Sequence, residues 1–195
     1  MNKYGDNDRW SFRSNTSISD SNYLEVYGNI CSLINYQSLT DYVFRGLFYD
    51  GITALSSAWN LVLPSTGLTR EAFACLFRGS SVQVAPKMIY IEGQMATNLF
   101  DACFYGNSNI KYIGIDCQDF SGTKSNWVNN VGSSSSKTFV RTYPRTPYSR
   151  GGGSIPNGWT LIDLCSDGKY YLDNGYGQPT NTEVIVNPDG TYTTV

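Results

Sequence analysis

The chain has 195 residues, and 41% of them are hydrophobic, which is enough for one domain with a hydrophobic core. Only 15% of the residues are charged and the net charge is −2, so we expect no overall electrostatic attraction to nucleic acid or to anionic membranes. The sequence has no histidine, and its five cysteines show neither a CxxC zinc spacing nor an even disulfide set. We therefore expect a protein that is not an enzyme and that binds no cofactor or metal.

The first 23 residues are polar with one strand-like piece at residues 10–13, and they predict an N-terminal cap or the end of a preceding β-domain. This region contains no apolar signal segment, and no apolar run reaches the 18 residues that a membrane-spanning helix needs. We therefore expect no membrane insertion. The chain is expected either not to be exported by itself or to be an excerpt of a longer protein.

A repeated pattern begins at residues 39, 68 and 95, which are 29 and 27 residues apart. Each copy has two phenylalanines four residues apart, a small residue two positions before the second one, and a glycine shortly after it. The two aligned columns are Phe44, Phe73 and Phe100, and then Phe48, Phe77 and Phe104. This spacing predicts the apolar face of a short helix in each copy, and the glycine is expected to end it.

An extended apolar piece follows each predicted helix, at residues 61–63, 88–91 and 112–115. One helix and one strand in about 28 residues predict the α/β class, as a leucine-rich-repeat-type solenoid of parallel strands backed by short helices. Phe48, Phe77 and Phe104 should form a buried ladder, and Cys75 and Cys103 should be reduced and buried. The alternative is three phenylalanine-rich helices in an ordinary α/β domain.

The segment after the repeats concentrates cations and aromatic rings. Within ten residues it carries the candidate ligand-binding residues Arg141, Tyr143, Arg145, Tyr148 and Arg150, with two prolines and no acidic residue. Tyrosine rings can stack on sugars, and guanidinium groups can pair with acidic groups. We predict an exposed loop that clamps an acidic glycan or protein, and the alternative is a solvated loop without a ligand.

Two β-hairpins are predicted in the last part of the chain. Turn sequences lie at residues 166–168 (Ser-Asp-Gly) and 187–190 (Asn-Pro-Asp-Gly), each between two β-prone stretches. The last unit of a repeat array needs a cover for its open apolar end. Residues 164–195 are therefore expected to be a C-terminal cap or an attachment module for another chain.

Several segments, in their order along the chain, resemble one protein family. Residues 24–35 read LEVYGNICSLIN, the repeats follow, and the stretches SNWVNNVG (125–132), TFV (138–140) and IPNGWT (155–160) end the pattern. This succession resembles the BspA-like leucine-rich-repeat proteins of gut Bacteroidales and their phages. The expected domains are thus an N-terminal part at 1–23, the solenoid at 24–163 and the hairpins at 164–195.

The resemblance implies a non-enzymatic surface-binding or adhesion module that recognises a protein or a glycan, located outside the cell or at the cell surface. The alternative is a structural or host-attachment protein of a gut bacteriophage, in the tail or fibre of the virion. The expected partners are a protein or an acidic glycan on a cell surface, or other virion proteins. A homo-oligomer is a further option, and no role for nucleic acid is expected.

Overall fold

The computed structural model describes most of the chain after residue 23. The described residues are 2–4, 9–11, 24–34, 39–49, 55–151 and 153–195. The N-terminal cap expected over residues 1–23 lies largely outside them. Two short strands are described in that region, β1 (Asn2–Tyr4) and β2 (Arg9–Ser11), and they pair antiparallel.

Short parallel pairs form the next part of the chain. The strands are β3 (Leu24–Glu25), β4 (Gly28–Asn29), β5 (Leu55–Ser57) and β6 (Leu61–Val62). β3 pairs with β5, and β4 pairs with β6, both in parallel. A 3-10 helix at Ile30–Leu33 is the only helix among the described residues, and the side chain of Asn29 caps it by accepting from the backbone N–H of Cys31.

A mixed sheet of seven strands forms the rest of the fold, in the order β13-β12-β11-β10-β9-β8-β7. Its strands are β7 (Ile89–Tyr90), β8 (Tyr112–Asp116), β9 (Thr138–Thr142), β10 (Thr160–Leu164), β11 (Tyr170–Asp173), β12 (Pro179–Val186) and β13 (Tyr192–Thr194). Strands β7 to β10 are parallel neighbours, whereas β10 to β13 are antiparallel. Both predicted hairpins are confirmed, as β10–β11 and β12–β13, and they extend the same sheet.

The segments that were predicted to be helices are stacked turns. The turn-rich segments are 41–48, 70–79, 97–106 and 121–130. In the second of them, the N–H groups of Phe73 and Phe77 donate to Leu99 and Cys103 of the next segment, at 3.0 and 2.9 Å. The N–H group of Leu76, which lies between them, donates within its own segment to the carbonyl of Phe73, three residues back. An α-helix would instead direct each of these donors to the carbonyl four residues back.

Left-handed backbone recurs at every fourth residue in the first three of these segments. In the second segment it occurs at Glu71, Cys75 and Gly79, with φ of 55°, 56° and 61°. A helix cannot contain such residues, but consecutive turns of four residues can. Residues four apart then share one side, which is the spacing that suggested helices. The predicted α/β leucine-rich-repeat-type solenoid with short backing helices is therefore wrong, because the described chain is nearly all β, its sheet is mixed and no helix backs it.

The predicted phenylalanine ladder is confirmed. The ring of Phe77 is fully buried and stacks between those of Phe48 and Phe104, with centroid distances of 5.4 and 5.5 Å. Phe73 lies in the same way between Phe44 and Phe100. This ladder packs against one face of the sheet and forms the main core.

The prediction for the two repeat cysteines is confirmed in part. Both Cys75 and Cys103 are free thiols, as predicted. Cys103 is buried, and burial raises the pKa of its thiol above the usual range, so it stays protonated. Cys75 is half-buried rather than buried, so this part of the prediction is wrong.

The opposite face of the sheet has a second, smaller core. It consists of Val84, Tyr112, Val140, Ile162 and Val184. The tip of the β12–β13 hairpin lies on this face, since a Cβ atom at Gly190 would come within 2.7 Å of Tyr112 Cβ. Strand β8, which lies between β9 and the edge strand β7, is buried over its whole length.

Truncating the middle ring of the ladder should destabilise the protein strongly. Phe77→Ala is expected to lower the free energy of unfolding by about 3–5 kcal/mol, because it leaves a cavity between two stacked rings. Urea unfolding would measure the change. Tyr176→Ala, which removes a ring that is 84% exposed, is the control and should change stability by less than about 0.5 kcal/mol.

The substitution Gly46→Ala tests whether this segment is a turn or a helix, because the two structures predict opposite changes in stability. In a helix interior, alanine would stabilise by about 1 kcal/mol relative to glycine. Gly46 has φ of 65°, and a Cβ there would meet only Tyr49 Cβ at the ordinary distance of 3.5 Å. We expect a loss of about 1 kcal/mol from backbone strain alone, measured by thermal or urea unfolding. A gain in stability would contradict the stacked turns.

Candidate functional site

The predicted ligand-binding segment begins in β9 and continues past the carboxyl ends of the parallel strands. Ile115 of β8, Arg141 of β9 and Asp163 of β10 are neighbours in register at this end. Side chains alternate along a strand, so Arg141 shares a face with Phe139, which packs in the main core. Arg141 therefore lies on the face of the sheet that packs against the main core.

Arg141 is a buried anchor and not an exposed clamp. Its side chain is 2% exposed, and its Nε donates to Asp163 Oδ1 at 2.7 Å. Nη1 donates to the carbonyl oxygen of Thr146 at 3.0 Å, and Nη2 donates to that of Gly177 at 2.9 Å. The same Nη2 lies 3.5 Å from Asp173 Oδ2. One guanidinium thus connects β10 with the loops that follow β9 and β11, and the solvent exposure that we expected for it from the sequence is absent.

Two carboxyl groups share this single buried cation. The side chains of Asp163 and Asp173 are 0% and 1% exposed, and both lie against the Arg141 guanidinium, at 2.7 and 3.5 Å. Asp163 Oδ2 has no donor among the described residues, and a proton held between the two carboxyl groups would satisfy it. Burial, together with the charge of Asp173, raises the pKa of Asp163 despite the opposing effect of Arg141.

The other two arginines of the segment also have partners within the chain. Arg145 forms an ion pair with Asp116, and its Nη2 donates to the carbonyl of Ile91 at 2.7 Å. Arg150 donates from Nη1 to the carbonyls of Pro156 and Trp159, at 3.3 and 3.1 Å. Both side chains are partly exposed, so their role in ligand binding stays a prediction.

The tyrosines of the segment lie beside the loop at 173–178. Tyr143 donates from its hydroxyl to Gln178 Oε1 at 2.8 Å, and the Tyr148 hydroxyl donates to the carbonyl of Gly175. The Arg141 guanidinium carbon lies 5.7 Å from the centroid of each of these two rings, within the range of a cation–π contact. Tyr176 extends from the same loop and is 84% exposed. We call Tyr143, Tyr148 and Tyr176 the tyrosine surface.

The loop at 173–178 is fixed by its own polar side chains. Asp173 Oδ1 accepts from the N–H groups of Gly175 and Gly177, at 2.6 and 3.2 Å. Asn174 Oδ1 accepts from the N–H of Tyr176 at 2.8 Å. Tyr176 and Gln178 were not among the binding residues predicted from the sequence. The Asp-Asn-Gly turn before them was the available signal, since such side chains bond to backbone two residues on.

A cleft of about 510 Å³ is lined by Pro147 and Ser149, which flank Tyr148 in the sequence, and none of the three tyrosines of the tyrosine surface is among its lining residues. Four of its other lining residues carry hydroxyls, namely Ser121, Thr123, Ser125 and Ser154. This volume is within the range of small-molecule sites. A groove of similar volume near Lys111 and Asp189 lies at the opposite, amino-terminal end of β8.

The chain was compared with known protein families, curated proteins and solved structures, and none matches. The resemblance to BspA-like proteins thus stays a prediction. Within the described ranges, no group of acidic, cysteine or histidine side chains could hold a metal ion. Among the helices of those same ranges, none is long and apolar enough to cross a membrane.

Replacing Asp163 with asparagine should remove a pH dependence of stability. Because the pKa of Asp163 is raised in the folded protein, its contribution is fully present below the ordinary carboxyl pKa of about 3.9. That contribution is lost as the pH rises through the raised pKa. Asp163→Asn keeps an oxygen for Arg141 and supplies an N–H toward Asp173. Urea unfolding from pH 4 to pH 7 should show a fall in the free energy of unfolding for the wild type that the variant lacks.

Asp163→Ala is the matched comparison for this measurement. It removes both bonds and leaves the buried Nε donor of Arg141 without an acceptor, so we expect a loss of about 1–3 kcal/mol or more at neutral pH. If Asp163→Asn is as unstable as Asp163→Ala at pH 7, the shared proton is excluded.

Proposed function

We propose that this protein is a non-catalytic binding module that recognises a protein or a glycan at a cell surface, with the tyrosine surface as its contact. The observation that carries the proposal is the position of three partly or highly exposed tyrosine rings on two loops held by one buried guanidinium. Tyrosine provides a large, rigid contact area and loses little conformational entropy. Loops that are already fixed also lose little freedom when they bind.

The ion pairs at the carboxyl ends of the strands support binding in preference to catalysis. Asp116, Asp163 and Asp173 each pair with an arginine of the same chain. These pairs hold β8, β9, β10 and the two loops together, which is a structural role. An acidic ligand has less support than the sequence suggested, because the guanidinium groups that would bind it already have partners.

A double variant of exposed rings tests the proposed contact. Tyr143→Ser together with Tyr176→Ser should lower the binding of the fluorescently labelled protein to a panel of bacterial cells by at least about tenfold, as expected when aromatic anchors are removed. Flow cytometry would measure the binding. The melting temperature should stay nearly unchanged, since neither ring belongs to the buried cores.

The matched control removes two exposed tyrosines from elsewhere on the molecule. Tyr27 and Tyr90 are 78% and 51% exposed and do not belong to the tyrosine surface. Their double serine variant should bind cells like the wild type. Equal loss of binding in both double variants would show that the tyrosine surface has no special role.

A further inference from the structure

The charges around the tyrosine surface are neutralised within the chain. Arg145 is paired with Asp116, and Arg141 has two carboxyl groups that can share one proton. Arg150 is bonded to backbone carbonyls. An acidic ligand that drew Arg145 away would leave the largely buried Asp116 carboxylate unpaired, which is costly.

The charged side chains that line the cleft also balance each other. The cleft contains one acidic and one basic side chain, Asp119 and Lys124. Asp119 Oδ1 accepts from the N–H of Ser121 at 2.8 Å, and Lys124 Nζ lies 3.6 Å from Asp101 Oδ2. The hydroxyls of Ser121, Thr123 and Ser154 donate within the chain, to Asp119, Gly153 and Gly151, so they offer a ligand mainly acceptor oxygens. These oxygens carry no charge.

We infer that the tyrosine surface and this cleft together bind a neutral sugar chain, an inference that rests on the binding role proposed above. Sugar rings present C–H faces that pack on exposed tyrosine rings, and their hydroxyls can donate to the serine oxygens of the cleft. The exposed side-chain amides of Asn174 and Gln178 supply further donors at the edge of the rings. The binding energy then comes from stacking and from uncharged hydrogen bonds, with no ion pair to the ligand.

Matched pairs of polymers test the charge of the ligand directly. The probes are dextran with dextran sulfate, hydroxyethyl cellulose with carboxymethyl cellulose, and a neutral α-mannan with its phosphorylated form. Biolayer interferometry would measure their affinities between about 0.1 M and about 1 M salt, a range over which the screening length falls from about 10 Å to about 3 Å. We expect binding to at least one neutral polymer, no gain from the acidic partner, and an affinity that salt leaves nearly unchanged.

A single variant connects this binding to the site. Tyr176→Ala should weaken the affinity for the neutral polymer by about tenfold, the loss expected for an aromatic anchor. Tyr27→Ala, at a similar exposure of 78%, is the control and should leave the affinity unchanged. Circular dichroism would verify that both variants are folded.

The other outcomes overturn the inference in distinguishable ways. A preference for the acidic polymers that salt abolishes would exclude a neutral ligand and leave the proposed binding role intact. Binding to none of the polymers, together with cell binding that protease treatment of the cells removes, would identify a protein ligand. If Tyr176→Ala binds the neutral polymer like the wild type and the double serine variant binds cells normally, both the inference and the proposed contact fail.

Discussion

The backbone hydrogen bonds between successive turn segments are the constraint on which the rest of the structure depends. Alternate N–H groups of one segment donate to carbonyls of the next, as in a parallel sheet, and the remaining N–H groups close the turns themselves. This division satisfies the backbone of segments that would otherwise be buried with unpaired groups. It also fixes the distance between segments, and the phenylalanine rings stack at that distance.

The sequence predicted which residues of this core meet, but it did not predict their backbone. The contact between Phe48, Phe77 and Phe104 could be predicted, because a phenylalanine that recurs at a fixed position of a repeat is expected to be buried. A four-residue turn and a 3.6-residue helix both place i and i+4 on one side, so the phenylalanine spacing alone could not separate them. Glycine at 46 and 79 was a signal for left-handed backbone, whereas Glu71 and Cys75 adopt it without any local indication.

The candidate site shows a similar limit. Composition identified the segment at 141–150, because an excess of arginine and tyrosine needs no structure to be noticed. Alternation in β9 could have placed Arg141 beside Phe139 and thus on the buried face. Its partner Asp173 is 32 residues away in sequence and belongs to an antiparallel strand, so no local pattern connects the two. The strand topology decides long-range pairing of this kind. Tyr176 follows Asp173 in the same loop, so its place near Arg141 could not be predicted before the topology was known.

The burial of β8 on both faces has a consequence for the order in which the chain can fold. One face is covered by turn segments that precede the strand or follow it closely, but the other is closed by Gly190, 78 residues after Tyr112. Contacts over such separations form slowly, since a long loop must close first. During synthesis on the ribosome, therefore, this face of the sheet has only earlier residues such as Trp59, whose ring lies 5.1 Å from that of Tyr112, to cover it until the final hairpin has emerged. A nascent chain at that stage would present an apolar sheet face that other chains or chaperones can contact.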